Sequence, residues 1–311
     1  MSDGGVRPES GGAGLKGILC MAAGCALVTF NDAILKWLTT DMPVGQIMFI
    51  RGLFVFLPVL LLAWHEGGLY RLRVRSPRGQ AARAAIVVTG MFLFITGLSL
   101  LPFAEAIALT FASPLFATAL AVPFLKEKVG WRRWTAVGVG FGGVLVMLRP
   151  GEGALALAAL LPLAAAVTGA LRDIVTRRLS VSDSSSSILM VSTIAVTLCG
   201  LLTWPFGWPT PTWLELALLA LAGMLLGAAQ YLMIEAVRLA EVGLVAPFRY
   251  TSLIWAFLIG FVVFGSVPDI WVVIGAVVVM LSGLYILHRE GRFGRRPSVP
   301  DRPESAPIDR T

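Results

Sequence analysis

Four charged residues lie within or at the ends of apolar segments of the chain. Asp32 and Lys36 follow a long apolar run in the stretch FNDAILKWL, and Arg51 and Arg249 lie a few residues inside two further runs. A charge at the centre of a bilayer-spanning helix costs roughly 2.5–3.5 kcal/mol, so such side chains usually face a cavity or a partner. These positions are therefore the first candidates for binding a polar or charged ligand.

Each of these charges also has a second interpretation. Asp32 and Lys36 are four residues apart, which suits an ion pair at a helix end worth about 0.2–0.5 kcal/mol. In the functional interpretation, Asp32 is a cavity acid that binds a cationic substrate or carries a coupling proton. Arg51 and Arg249 either line a substrate path, extend to the membrane interface or pair with an internal acid such as Asp32. Pro247 loosens the helix beside Arg249 and favours a cavity there.

Aromatic and amide side chains near these charges would complete a pocket. A planar ligand, such as a flavin or an adenine, would stack on aromatic rings beside an arginine. The predicted binding residues are Arg249, Tyr250, Arg51, Asp32, Asn31, Gln230, Tyr231, Trp255 and Phe111. Trp37, Trp131 and Trp208 are assigned instead to the membrane interface, where Trp is enriched.

The composition indicates that the solvent of this chain is lipid. Of its 311 residues, 57% are hydrophobic and 14% are charged, whereas soluble domains carry roughly 25% charged residues. The three cysteines lie in apolar runs without paired spacing, so neither a disulfide framework nor a metal site is expected. The sequence contains no Walker motif and no catalytic constellation, so we expect no cofactor and no enzyme activity. If the chain moves a solute against its concentration, the energy would then come from a gradient of another solute or ion, or from exchange of one solute for another.

Ten apolar segments match the roughly 20 residues that a membrane helix needs. Their predicted cores are 16–37, 44–64, 82–101, 104–124, 131–148, 154–172, 186–206, 214–234, 243–264 and 270–288. The joints are short and carry Gly, Pro or charge, which leaves no room for a soluble domain. Residues 1–14 and 289–311 lack apolar periodicity and are predicted to be disordered cytoplasmic ends. The predicted fold is an all-α integral membrane protein of ten helices.

Lys and Arg are distributed unequally between the two sides of the predicted membrane. With a cytoplasmic N-terminus, 21 of the 25 Lys and Arg residues lie on the inner side, and Arg149 is the exception in an outer loop. Because inner loops are enriched in these residues, both termini are predicted to be cytoplasmic and the protein to span the cell (inner) membrane. The excess positive charge behind the net charge of +7 is concentrated in the inner loops and the C-terminal tail. The membrane orientation accounts for it, so nucleic acid is not an expected partner.

The chain also shows signs of an internal duplication. The stretch LRDIVTRRL repeats the frame D-x-x-x-[K/R]-x-L of FNDAILKWL, which places Asp173 and Arg177 141 residues after Asp32 and Lys36. Ten segments divide into two halves of five, 15–149 and 150–288, and an odd number per half inverts one half relative to the other. Such inverted repeats are typical of alternating-access transporters. Asp173, with Arg177 and Arg178 beside it, is predicted mainly to anchor the inner end of the sixth segment.

Over residues 15–288 the sequence resembles the EamA branch of the drug/metabolite transporter superfamily. The run SPLFATALAVPFLKEKVGWRRW is similar to the fourth-helix signature of that branch. NDAILKWL, RDIVTRRL with its successor SVSDSSSS, and APFRY resemble more narrowly the S-adenosylmethionine uptake and riboflavin transporter groups. The resemblance implies a secondary transporter that takes up a small metabolite by alternating access. One departure is Ser266, near where the family often has glutamate.

Other interpretations remain open at this stage. Within the transporter class, the chain could export amino acids or other metabolites; outside it, the chain could be a lipid flippase or a membrane scaffold. A match to the dinucleotide fingerprint, Gly138, Gly140 and Gly143, lies inside a predicted span rather than between a strand and a helix. It is therefore interpreted as a helix-packing surface. Residues 184–187, SSSS, are predicted to cap the seventh segment.

Overall fold

A computed structural model describes residues 10–65, 68–125, 130–148, 154–180, 182–240 and 242–293. In these ranges the chain forms twelve α-helices, three short 3-10 segments and no strand. The α-helices are α1 Ser10–Leu38, α2 Val44–His65, α3 Pro77–Leu100, α4 Phe103–Thr110, α5 Ser113–Leu125, α6 Trp131–Leu148, α7 Ala154–Leu179, α8 Ser185–Leu201, α9 Trp213–Leu239, α10 Val242–Val245, α11 Thr251–Phe264 and α12 Ile270–Phe293. The 3-10 segments are Leu69–Leu72, Trp204–Phe206 and Ala246–Tyr250.

The prediction of a multi-pass helical membrane protein is confirmed. Among the described residues, eight helical segments are long and apolar enough to cross a membrane, and Ile270–Ile286 is a shorter apolar helix. The eight are Ala13–Leu38, Val44–His65, Pro77–Leu100, Phe103–Val122, Leu157–Leu179, Ser185–Phe206, Trp213–Leu239 and Gly243–Phe264. The fifth predicted segment, 131–148, is not among these eight; it corresponds to α6, a helix of 18 residues.

Two predicted spans are interrupted instead of continuous. The fourth is divided into α4 and α5 by a turn at residues 111–112, immediately before Pro114. The ninth passes from α10 through the 3-10 segment that contains Pro247 into α11. A proline has no N–H to donate to the helix, so the backbone around it departs from regular α-helix. Non-helical backbone at membrane depth is tolerated where it is buried in protein or lines a cavity.

Several helix ends differ from the predicted boundaries. α7 continues to Leu179, beyond the predicted 154–172, and α1 and α12 extend into the ends predicted to be disordered, the rest of which lie outside the described residues. The predicted cap at residues 184–187 is confirmed, because the Ser184 side chain accepts the Ser187 N–H. Gly265, with φ of 60°, ends α11 in the left-handed conformation that favours glycine.

Four helix pairs have the most extensive contacts: α1 with α9, α3 with α7, α2 with α8, and α6 with α12. Glycines allow close approach, as small residues commonly do between membrane helices. A Cβ added to Gly143 would lie 2.9 Å from the Gly275 carbonyl oxygen, and one added to Gly140 would overlap Leu115. Gly140 and Gly143 therefore pack α6 against neighbouring helices, as predicted, whereas Gly138 is exposed and has no neighbour within 4 Å of an added Cβ.

The most tightly buried apolar residues concentrate at one end of the bundle. Leu35 at the end of α1, Ile95 and Leu98 at the end of α3, and Phe103 at the start of α4 have no exposed surface. Phe103 also packs on Phe264 at the end of α11, with ring centroids 5.5 Å apart. We call this region the closed end.

Candidate functional site

A cavity of about 640 Å³ lies among α1, α3, α5, α7 and the 3-10 segment Ala246–Tyr250. Its middle is lined by small and apolar residues such as Val28, Gly90 and Ala166. The border of the cavity that lies farthest from the closed end contains the charged residues Asp173, Arg177 and Arg249, all of which are exposed. Because exposed charges line that border, the cavity opens to solvent there, and we call this region the open end.

Three of the predicted binding residues lie together in the wall of this cavity. Phe111 and Tyr250 stack with ring centroids 5.2 Å apart at an angle of 29°, and Arg249 precedes Tyr250. Phe111 occupies the turn between α4 and α5, and Arg249 the 3-10 segment, so both interruptions of regular helix supply lining side chains. Within the described part of the chain, the Arg249 guanidinium has no hydrogen bond or ion pair, which leaves it available to a ligand.

The Tyr250 hydroxyl is buried without a partner in the described ranges. It lies beside Gly283 of α12, where an added Cβ would overlap the hydroxyl oxygen. A buried donor without a partner costs about 1–3 kcal/mol. The ring is therefore held in place mainly by packing between Phe111 and α12.

The open end carries an ion pair between neighbouring residues of α7. Arg172 donates from Nε and Nη2 to the same Asp173 oxygen, at 3.0 and 2.9 Å. Both side chains are about half exposed and line the cavity, as does Arg177. Asp173 was predicted mainly to anchor a helix end beside Arg177 and Arg178; its partner in this structure is Arg172, on the preceding residue.

Three other predicted residues form a buried polar cluster, defined as Asn31, Asp32 and Arg51. The Asn31 side chain donates to Asp32 Oδ1 at 2.9 Å, and Arg51 Nη1 donates weakly to Asn31 Oδ1 at 3.4 Å. Their exposed fractions are 1%, 9% and 2%. Arg51 Nη2 also contacts Met91 Sδ at 3.5 Å, and Met91 lines the cavity. The cluster is thus separated from the cavity by one side chain.

Lys36 does not pair with Asp32, so the proposed i,i+4 ion pair is wrong. Its ammonium donates instead to the carbonyl oxygens of Leu98 and Leu101, at 2.6 and 2.8 Å. The last carbonyls of a helix have no partner within that helix. Lys36 satisfies those at the end of α3 and links α1 to α3 across the closed end.

The three remaining predicted residues are placed away from the described cavity lining. Gln230 is half-buried on α9. Tyr231 is 40% exposed, and its ring lies 6.3 Å from that of His65. Trp255 contacts the Phe30 ring, with centroids 6.0 Å apart. The structure therefore brings together Phe111, Arg249 and Tyr250, and places the buried polar cluster beside them.

Arg83 is a buried residue whose role the sequence did not reveal. Counted above among the inner-side cations, it donates from Nε to Thr176 Oγ1 at 2.7 Å and from Nη1 to the Ile188 carbonyl at 3.3 Å and to Ser192 Oγ. It joins α3, α7 and α8. Its position one residue inside a predicted span was the available signal.

Asp183 forms a second polar junction at the open end. Its carboxylate accepts from the Arg75 backbone N–H at 2.8 Å and from Gln80 Nε2 at 3.0 Å. This fixes the turn between α7 and α8 to the start of α3. Together with Arg83, it makes the α3–α7–α8 contact polar, in contrast with the apolar closed end.

A helical membrane protein with a central cavity, open at one end and closed by apolar packing at the other, has the architecture of a solute transporter. Comparison of the sequence with known protein families gives the same class of protein. The chain belongs to the EamA-like transporter family, whose model matches residues 15–149 and 155–288. The resemblance inferred from the motifs is thereby confirmed.

Several relatives match about nine-tenths of the chain. An S-adenosylmethionine uptake transporter of Rickettsia prowazekii (strain Madrid E) is 30% identical and covers 89% of this chain and 94% of the relative. A riboflavin transporter of Rhizobium johnstonii is 31% identical, covering 89% and 92%. A riboflavin transporter of Vibrio cholerae is also 31% identical, covering 91% and 96%. The prediction of a small-metabolite transporter agrees with the names of these relatives.

A solved crystal structure confirms the fold at a greater distance in sequence. It superposes with a TM-score of 0.64 at 18% identity, and the match covers 92% of this chain and 100% of the other. At this identity the likeness concerns the fold alone.

Proposed function

We propose that the protein is a secondary transporter of the cytoplasmic membrane that carries a small organic metabolite through the central cavity by alternating access. The observation that carries the proposal is the cavity itself. It lies among helices of both halves of the chain and is open at one end only. A solute that enters the cavity while one end is open would be released on the other side once that end closes and the opposite end opens.

The pairing of the helices supports two inverted repeats. Counting α4 with α5, and α10 with the 3-10 segment and α11, as single segments gives ten among the described residues, five in each half. Exchanging the halves converts the α1–α9 pair into the α7–α3 pair, and leaves the α2–α8 and α6–α12 pairs unchanged. A pattern that maps onto itself in this way is expected of a two-fold repeat, and repeats of this kind move against each other during transport.

The distribution of Lys and Arg gives this transporter an orientation. With both termini in the cytoplasm, the open end faces the cytoplasm, because α3 begins there and α7 ends there. The structure then corresponds to an inward-open state. Lys36 and the apolar residues of the closed end would form the gate on the outer side.

For the substrate we propose S-adenosylmethionine or riboflavin, taken up into the cell. Both carry a planar heteroaromatic ring, which suits a wall built from Phe111 and Tyr250 with Arg249 beside it. The cavity volume of about 640 Å³ falls in the range of roughly 300–1,000 Å³ typical of small-molecule sites. The arginine would bind a carboxylate or a ring oxygen of the ligand.

The experiment that tests the proposal is uptake of radiolabelled S-adenosylmethionine and riboflavin by cells that produce the protein. Saturable uptake of one compound is expected, with a strong loss in Arg249→Ala. A hydrogen bond to a charged group contributes about 1.5–3 kcal/mol, so apparent affinity should fall by roughly ten- to a hundredfold. Membrane levels are matched by quantitative immunoblotting.

Arg238→Ala is the control for a general effect of losing an arginine. Arg238 lies on α9, lines no part of the described cavity and approaches Glu235 at 3.7 Å. Its variant is expected to transport normally. Equal uptake by Arg249→Ala and the unmodified protein would remove Arg249 from the binding site, and absence of uptake of either compound would overturn the substrate proposal.

A further inference from the structure

We propose that Asp32 is a proton-binding site, which takes up one proton from the outer solution and releases it on the inner side during each transport cycle. This inference rests on the proposed transport function. It assigns the coupling ion and its residue, and the site is distinct from the cavity that holds the substrate. The only bond made and broken is the O–H bond of the carboxyl group.

The buried polar cluster does not satisfy its own charges. Asp32 has one hydrogen bond, from Asn31, although a carboxylate can accept several. Arg51 Nε has no partner in the described ranges, and no ion pair within 4 Å joins Arg51 to Asp32 there. A buried charge without direct pairing is costly. Protonation of Asp32 removes one of the two charges, so a small change in its surroundings is enough to favour uptake or release.

The charged groups around Asp32 leave Arg51 as its partner. Arg51 is linked to Asp32 through Asn31, whose side chain donates to Asp32 and accepts from Arg51. Lys36, one turn later on α1, is directed to the carbonyls of α3. α9 packs against Arg51 through Gly223, and α10 and α11 carry no ionisable side chain. The ionisable residues of the other elements packed against α1 lie elsewhere along the bundle: Arg78, Arg83, Glu215, Tyr231, Glu235, Arg238, Arg249 and Tyr250.

The cluster contacts the cavity through two side chains. Val28, one turn before Asp32 on α1, lines the cavity, as does Met91, whose sulfur contacts Arg51. A substrate that fills the cavity packs against both. The position of Arg51, and with it the attraction that holds Asp32 ionised, therefore depends on whether the cavity is occupied.

The closed end explains the direction of proton transfer. Asp32 lies on the last part of α1, between the cavity and the packed residues Leu35 and Leu38. When the outer gate opens, water reaches Asp32 from outside before it reaches the inner half of α1. In the inward-open state, exchange with the cytoplasm passes through the cavity beside Val28 and Met91.

The test uses the full-length protein in liposomes with an imposed pH gradient. With a gradient of about one pH unit, one proton per cycle drives about tenfold accumulation of substrate. Asp32→Asn keeps the shape of the side chain and removes the titrating group. It should still exchange labelled for unlabelled substrate across the membrane, but should not accumulate substrate. Asp32→Glu should restore accumulation at least in part.

Asp41→Asn is the matched control, because Asp41 is an exposed acid in the turn after α1. It should accumulate substrate like the unmodified protein. Accumulation by Asp32→Asn equal to that of the unmodified protein would overturn the proton site while leaving the transport function intact. Failure of a pH gradient to drive accumulation by the unmodified protein would do the same.

An infrared measurement makes the outcome independent of the substrate. A protonated-carboxyl band that changes with pH, and that is missing in Asp32→Asn but present in Asp41→Asn, is the expected result. If the protein exchanges neither compound, the substrate proposal is wrong, and the infrared spectrum alone then tests the proton site. A titration unchanged by Asp32→Asn would overturn the inference.

Discussion

Asp32 and Asp173 occupy the same position in the repeated frame D-x-x-x-[K/R]-x-L, yet their surroundings are opposite. Asp32 is buried, accepts one hydrogen bond and lies next to the closed end. Asp173 is exposed, is paired with Arg172 and lines the open end of the cavity. Similar sequence therefore does not give similar environments here, because the two aspartates lie toward opposite ends of one bundle.

The cations near the two aspartates differ in origin as well. Arg51 is the eighth residue of α2, and the eighth residue of α8 is Ser192. Asp173 is paired with Arg172 of its own helix, and a second arginine, Arg83 of α3, is bound to Thr176, the Ile188 carbonyl and Ser192. The cation beside Asp32 is thus loosely held, whereas Arg83 is fixed by three hydrogen bonds. This difference favours Asp32 as the residue that changes charge.

The largest expected difference between the two aspartates is their access to a water-soluble thiol reagent. In protein with Cys20, Cys25 and Cys199 replaced by alanine, Asp173→Cys should be labelled rapidly. Asp32→Cys should be labelled roughly a hundredfold more slowly, because only a minor conformation, populated at about 0.1–10%, exposes it. Labelling rates in inverted and right-side-out vesicles measure both values and the side from which each is reached.

Substrate turnover sharpens this comparison. If the halves exchange roles, cycling should speed the labelling of Asp32→Cys and slow that of Asp173→Cys. Equal labelling of the two positions from one side would contradict alternating access. Asp41→Cys, in an exposed turn, gives the reference rate for the outer surface.

The next largest difference is expected in stability. Arg51→Ala removes the cation beside Asp32 and the hydrogen bond to Asn31, and leaving a buried polar group without its partner typically costs about 1–3 kcal/mol. Arg172→Ala removes a pair that is about half exposed, and such pairs contribute about 0–1 kcal/mol. Unfolding of the purified protein in detergent measures both. Adding Asp32→Asn to Arg51→Ala should recover part of the loss, and no recovery would mean that the two side chains act independently.

Much of the architecture was predictable from the sequence, because lipid imposes a simple rule on helix length and composition. The apolar runs, the family motifs and the expectation of a cavity beside Arg249 in its proline-containing segment came from residue type alone. The partners of Arg83 did not, because Thr176, Ile188 and Ser192 lie on helices far along the chain. The acceptors of Lys36 are backbone carbonyls, which every residue carries, so no sequence pattern marks them.

The sequence also did not show that the predicted binding residues divide between the cavity wall and the buried polar cluster. Arg51 and Arg249 look alike in sequence, since both are single arginines inside apolar runs. Their burial differs because Gly223 lets α9 pack closely on α2 beside Arg51, whereas the 3-10 segment leaves Arg249 at the open end. Only the packing of distant helices decides which arginine reaches the cavity.

The smallest of the expected effects concerns Lys36, which closes the end next to Asp32. Lys36→Met removes two charge-assisted hydrogen bonds to the Leu98 and Leu101 carbonyls while keeping the apolar stem. A loss of about 1.5 kcal/mol from the closed conformation corresponds to roughly tenfold greater population of the open one. Labelling of Ile95→Cys, a fully buried reporter at the closed end, should accelerate by about that factor from the outer side.

Lys16→Met provides the comparison, because Lys16 is exposed at the start of α1 near the open end. Its variant should leave the labelling of Ile95→Cys unchanged. Lys36→Arg keeps a cation that can donate to both carbonyls, so labelling of Ile95→Cys should stay slow in that variant as well. If Lys36→Met labels no faster than Lys16→Met, the carbonyl contacts do not hold the gate, and the apolar packing of Leu35, Ile95 and Phe103 alone closes that end.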